Sequence, residues 1–234
     1  MRPALVAVSH GTSSPAGQAA VAGLADAVRR RLPDVAVSEA FVDVQQPSPE
    51  KVLDSSAGPA IVVPLLLAPG FHVHVDIARS VAGRDASAAR VLGPSGSITG
   101  ILLDRLRDAG LRSDDTVVLG VAGSSDVRAH QNTDRAAARL AMRLGREVVV
   151  GHLSGTGNRI DDVVAEAGAS GRRVVVATYL LAPGHFCDLL LRCGADVVTA
   201  PLLDGRLPDR RLVELVVDRY ESMAGAGQQL RKAS

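Results

Sequence analysis

The sequence predicts an α/β protein of two similar lobes, each a parallel four-stranded sheet flanked by helices. Three observations carry this expectation. Short Val-rich apolar runs alternate with stretches of helical spacing along the chain, which implies parallel strands and right-handed crossovers. LLAPG at Leu66 to Gly70 recurs letter for letter at Leu180 to Gly184, and VVLGVAGSSD stands in the second half where LVAVSHGTSS stands in the first. Hydrophobic residues make up 47% but aromatics only 2%, with no Trp, so the interior must be Val, Leu and Ala. The duplication divides the 234 residues into lobes at 1–112 and 113–234, each of ordinary domain size.

In chain order, Ala4 to Ser9 reads as a buried strand ending in His10-Gly11-Thr12-Ser13-Ser14-Pro15. Val21, Leu24, Ala25, Val28 and Leu32 recur at helical spacing, which predicts a helix over 16–31 with Arg29, Arg30 and Arg31 at its carboxyl end. Pro33-Asp34 stops it. A second strand follows over 35–42, then Asp43 and a Gln/Pro loop, a short helix over 50–53, and a third strand over 60–67. That strand is apolar throughout, as suits one covered on both faces, and it runs into Pro69-Gly70, His72, His74 and Asp76. A helix starting at Ile77, a fourth strand over 89–92 and a helix over 98–109 complete the half, with a hinge at 108–115. The second half repeats the order: strands over 116–121, 147–153, 173–181 and 196–200, and helices over 133–144 and 209–223. The polar tail past Gly225 is expected to fray.

Composition excludes several classes. Lys plus Arg at 26 against Asp plus Glu at 25 gives a formal charge of +1, no global field for nucleic acid or a membrane surface. No apolar run approaches the roughly 18 to 20 residues of a membrane span, and the apolar stretch near the amino terminus is too short for a signal peptide. Cys187 and Cys193, six apart, fit neither a disulfide framework nor a zinc knuckle and read as reduced thiols. A cytoplasmic protein is expected. The Gly11 to Ser14 turn matches neither the P-loop pattern nor GxGxxG, so no nucleotide is expected, although its backbone N–H groups could hold an anion.

In a parallel sheet the loops after all strands open on one edge, where ligands bind. That topology assembles His10 after the first strand, Asp43 after the second, and His72 with His74 after the third. Two imidazoles and a carboxylate suit a divalent transition metal such as iron, cobalt or nickel, and the lack of nearby thiolates argues against a closed zinc site. Each residue also has a plainer reading. His72 and His74 lie two apart in a segment expected to be extended, so they face opposite ways and one of them is the ligand. Asp76 reads better as a helix cap, Asp43 equally well as a turn residue, and His130 and His152 as surface or hydrogen-bonded residues and not ligands.

With SHGT, AFVD followed by QPSPE, PLLLAPGFHVHVDI, AGSSD and YLLAPG in hand, the chain resembles the sirohydrochlorin chelatases, the class II cobalt and iron chelatases of cobalamin and sirohaem biosynthesis. The resemblance runs from Leu5 to about Tyr220, and its most specific part is the HG-(T/S) turn combined with Gly70, His72, Asp76 and Ile77. It implies insertion of a divalent metal, Co2+ or Fe2+ with Ni2+ as a further candidate, into an acidic tetrapyrrole without ATP. Carried over by position, the catalytic and metal-ligating residues are His10, His72 and Asp43, with His74 as a substitute ligand. Two departures stand out: Ala78 follows the Asp-Ile pair where the family often has Pro, and Asp43 is one methylene shorter than the Glu of some relatives. Ala122 replaces His10 in the second half, which implies one metal site, in the first lobe, closed over by the second. Gly11, Thr12, Ser13, Ser124, Ser125 and His185 are the candidate substrate-binding residues. Two other classes compete: a two-lobed binder of metal or tetrapyrrole without catalysis, and a phosphoryl-transfer enzyme with His10 as nucleophile. The latter would want an Arg where Ser9 stands.

Overall fold

A computed structural model describes residues 2–68 and 70–233; the side chains of 71–74 and 226–233 lie outside that description. The chain forms β1 (Ala4–Ser9), α1 (Pro15–Arg31), β2 (Val37–Phe41), α2 (Pro49–Asp54), β3 (Ala60–Pro64), α3 (Phe71–Val81), β4 (Ala86–Ala88) and α4 (Gly96–Asp108). It continues through β5 (Thr116–Ser124), α5 (Val127–Leu144), β6 (Val148–Gly155), α6 (Ile160–Gly168), β7 (Val174–Tyr179), α7 (His185–Leu190), β8 (Val197–Val198) and α8 (Arg210–Ala233). The strands build two sheets ordered β2-β1-β3-β4 and β6-β5-β7-β8, and every pairing is parallel. The expected duplication is therefore present in strand order and strand direction alike.

Register makes the duplication quantitative. Val8 lies between Ala40 and Pro64, and Gly120 lies between Gly151 and Thr178. Counting outward from Val8 and Gly120 sets His10 against Ala122, Phe41 against His152, Asp43 against Ser154 and His72 against Phe186. The central strands of each sheet are buried because they are covered on both sides: β3 and β7 have no exposed position, and Leu5, Val8, Val62, Val118, Val175 and Val176 are 0% exposed.

The helices are stopped and started by ordinary capping chemistry. Ser14 caps α1 by accepting from the Gly17 N–H, with Pro15 at the first helical position; Ser48 and Ser95 do the same for α2 and α4. Asp126 caps α5, and Gly145 ends it in the left-handed region at φ 67°.

The compact units are not contiguous in sequence. One holds Met1–Leu66, His72–Leu92 and Leu207–Ser234; the other holds Leu67–Phe71 and Gly93–Arg206. Helix α4, inside the expected lobe 1–112, packs in the second unit, where Arg105 pairs with Asp204 at 2.9 Å and bonds the Leu202 carbonyl. Helix α8, inside the expected lobe 113–234, packs in the first, where Arg219 donates to the carbonyls of Val91 and Leu92 and the Tyr220 hydroxyl to that of Pro3 at 2.6 Å. Each sheet has an apolar face to cover, and sequence adjacency does not say which amphipathic helix covers it. Lobe one below means the unit carrying β1–β4, and lobe two the unit carrying β5–β8.

Five local expectations differ from the structure, the first being α5, expected over 133–144, which begins at Val127. Helix α3 begins at Phe71, six residues before Ile77, so positions 72 to 76 are helical and not extended. Helices α6 and α7 were not expected; with nine and six residues they are too short for a clear period. Strand β4 covers Ala86–Ala88, ahead of the apolar run at 89–92, where Leu92 is buried against the sheet and donates to Leu66 O outside the ladder. Helix α8 continues to Ala233. No described helix is long and apolar enough to cross a membrane.

Candidate metal centre

Strand β1 is flanked by β2 and β3, so the loops that follow all three leave one edge of the lobe-one sheet together. His10 is the first residue past β1 and is exposed. Gly11 follows at φ 91°, a left-handed conformation that favours glycine, and a Cβ there would stand 2.2 Å from the Asp43 carbonyl oxygen. The β1 and β2 loops thus touch backbone to backbone, and the Asp43 N–H donates to the His10 carbonyl at 2.9 Å. Two of the three expected ligands are brought together by this contact. Asp43 is exposed, with Oδ1 accepting from the Val44 N–H at 2.8 Å.

Val44 itself is at φ 60°, a conformation unfavourable for a β-branched residue. At the equivalent place lobe two has Gly155, at φ 79°. Lobe one therefore keeps a strained valine directly after its candidate ligand, where the duplicate uses the residue that fits without strain.

His72 is the second residue of α3, and Asp76 stands one turn further along the same helix. The side chains of His72 and His74 lie outside the described residues, so both ligand assignments remain expectations of the sequence. Among the described residues no three His, Cys, Asp or Glu side chains form a ligating group. Asp76, given above as a cap, lies inside α3 beside Arg79 at 3.9 Å. It is a first-turn-and-a-half residue of a helix that starts earlier than expected.

Two amides of the Gly11 to Ser14 turn already have partners. Thr12 N–H donates to Gln45 Oε1 at 2.9 Å, Ser14 N–H to Thr12 Oγ1, and Gln18 Nε2 to the Thr12 carbonyl. The amides of Thr12 and Ser14 are therefore committed, while Ser13 is exposed at the tip.

Lobe two rebuilds the same edge without the candidate ligands. Gly123, at φ 91°, meets the Ser154 carbonyl as Gly11 meets that of Asp43. Ala122, Ser154 and Phe186 occupy the places of His10, Asp43 and His72, and Ser154 Oγ donates to the Ala122 carbonyl at 2.7 Å. The first two losses are those expected from the sequence; Phe186 is the third, and the β7 register agrees with the LLAPG repeat in placing it there. Ser124 is held by its neighbours, its Oγ accepting from the Asp126 N–H and its carbonyl from His130 Nε2 at 2.8 Å. Ser125 is exposed. His185 opens α7, exposed, with its ring 5.7 Å from that of Phe186. Cys187 and Cys193 are free thiols, and burial pushes the Cys187 thiol up to about 11.

The chain matches the CbiX family model over residues 4–109 and 116–189, more than half of its length and parts of both lobes. Among solved structures it is similar to SirB from Bacillus subtilis with Fe3+, at 20% identity and TM-score 0.78, covering 98% of each chain. It is likewise similar to the sirohydrochlorin chelatase SirB from Bacillus subtilis subspecies spizizenii in complex with cobalt, at 18% identity and TM-score 0.77, again over 98% of each chain. A third similar structure is CbiX, the terminal enzyme for biosynthesis of siroheme in denitrifying bacteria, at 17% identity and TM-score 0.65 over 92% of this chain and 98% of that one. Comparison with curated proteins gives no match.

Proposed function

This chain belongs to the CbiX family, and from that premise we propose that it inserts a divalent metal ion, Co2+ or Fe2+, into sirohydrochlorin without a nucleotide. The observation that carries the reading is the backbone contact of the His10 and Asp43 loops; His72 is the second residue of α3, the helix that follows β3 of the same sheet. In this reading His10, His72 and Asp43 hold the ion and lobe two, through Ser124, Ser125 and His185, holds the macrocycle.

The chemistry asks for little more. Insertion exchanges water on the ion first for protein donors and then for four ring nitrogens, while two pyrrole protons leave the ring. Neutral imidazoles can hold the ion, and one that has released it can accept a proton. The carboxylate of Asp43 offsets the charge of the incoming ion, and two imidazoles with one carboxylate form a donor set of intermediate softness that suits Co2+ and Fe2+. Ni2+ fits the same donors. The acidic side chains of the ring require N–H donors, which the exposed Ser13 and Ser125 turns offer. A cytoplasmic setting accords with the two free thiols.

The test is a spectrophotometric titration of sirohydrochlorin with each of Co2+, Fe2+ and Ni2+, with and without protein. The reading expects metal-specific spectral change accelerated by the protein and not by His10→Ala. Equal rates with and without protein would reject catalysis and leave a tetrapyrrole- or metal-binding protein.

A further inference from the structure

By sequence His130 and His152 read as surface or hydrogen-bonded residues and not as ligands, and the structure sets them side by side. Their ring centroids are 4.8 Å apart with the planes tilted by 45°. Both line a cavity of about 470 Å3 between α5 and the edge strand β6, together with Asp134, Gly157 and Asn158. His152 is 5% exposed, and its Nδ1 is buried with no hydrogen-bond partner among the described residues. We propose that His130 and His152 form a second site for a divalent transition metal ion of the borderline class (Co2+, Ni2+, Zn2+), within lobe two.

Two features favour an ion over a packed pair of rings. First, His130 Nε2 lies 2.8 Å from the Ser124 carbonyl oxygen, which can only accept; Nε2 therefore carries the proton and Nδ1 the lone pair. An imidazole that donates one ring N–H to a carbonyl and offers the other nitrogen is the usual arrangement of a metal-binding histidine. Second, metal–nitrogen bonds of about 2.0–2.1 Å place two adjacent imidazoles on one ion with centroids roughly 5 Å apart, close to the spacing seen. Asp134 lines the same cavity and adds a carboxylate beside the two rings. With no third protein ligand grouped there among the described residues, the site is a two-imidazole one completed by water, and its affinity is modest.

Lobe one supplies the control. Gln18 and Phe41 hold the places of His130 and His152, and Gln18 Nε2 donates to the Thr12 carbonyl as His130 Nε2 does to that of Ser124. His130→Gln and His152→Phe therefore install residues that the same scaffold accepts, the first preserving the carbonyl bond. The full chain is titrated with CoCl2 alone, without tetrapyrrole, following bound cobalt by equilibrium dialysis and its visible d–d bands, with circular dichroism as the folding check. A His10→Ala/His72→Ala chain should still bind one equivalent of Co2+, and adding His130→Gln/His152→Phe should raise its dissociation constant at least tenfold. If the His10→Ala/His72→Ala chain binds no Co2+, or if the fourfold variant binds it unchanged, the inference is wrong. This experiment does not use sirohydrochlorin, so its outcome is independent of whether the chain is a chelatase.

Discussion

The amide of Asp43 donates to the carbonyl of His10 at 2.9 Å, and the α-carbon of Gly11 lies so close to the Asp43 carbonyl that no side chain fits between them. Residues 33 positions apart are thereby fixed as neighbours by the main chain, whatever their side chains do.

Gly11→Ala tests that contact. The added Cβ would stand 2.2 Å from a backbone oxygen at φ 91°, so the β2 loop must move. We expect a loss of about 2 kcal/mol or more in denaturant unfolding, together with lower insertion activity. A variant as stable as the parent would show that the loops separate without cost.

Val44→Gly probes the strain next to Asp43. Relief of an unfavourable positive φ, less the entropy glycine loses on folding, leaves a stabilisation of about 0.5–1 kcal/mol. Equilibrium urea unfolding measures it, and a destabilised variant would contradict the account of strain at this position.

For the ligand set, His10→Ala and His72→Ala are each expected to lower kcat/KM for cobalt insertion by at least about a hundredfold, equivalent to roughly 2.7 kcal/mol of transition-state stabilisation. Asp43→Glu, one methylene longer, should retain more activity than Asp43→Ala. Wild-type turnover in either His variant would remove that residue from the ligand set.

His185→Ala should raise the KM for sirohydrochlorin while leaving Co2+ affinity of the enzyme without tetrapyrrole unchanged, because His185 opens α7 of lobe two whereas the proposed ligands all belong to lobe one. Loss of cobalt binding on this substitution would show that His185 belongs to the metal site.

Cys187 gives a pH test. Burial pushes its thiol up to about 11, and its Sγ donates to the Ala182 carbonyl at 3.3 Å. The folded-state value is raised above the unfolded one, so this group's contribution to stability is complete below the unfolded value and is lost as pH rises through about 11. Mass-resolved alkylation should accordingly be slow at Cys187 at pH 8 and accelerate toward pH 11; fast labelling at pH 8 would contradict burial of the thiol.

Sequence by itself determined the strand-helix alternation, the duplication and the places of His10, Asp43 and Ser154. These are local patterns: a buried parallel strand must be apolar, and the turn after it must carry Gly and polar residues. It misread α3 because Pro69-Gly70 punctuates the chain and Phe71 to His74 has no period of its own, so the helix appeared to start only at Ile77. Only tertiary structure decided that α4 packs with lobe two and α8 with lobe one, since an amphipathic stripe says that a face is buried and not against what. Only the approach of α5 to β6 turned two histidines 22 positions apart into a pair sharing one cavity wall, because proximity across a sheet edge leaves no mark in the order of residues.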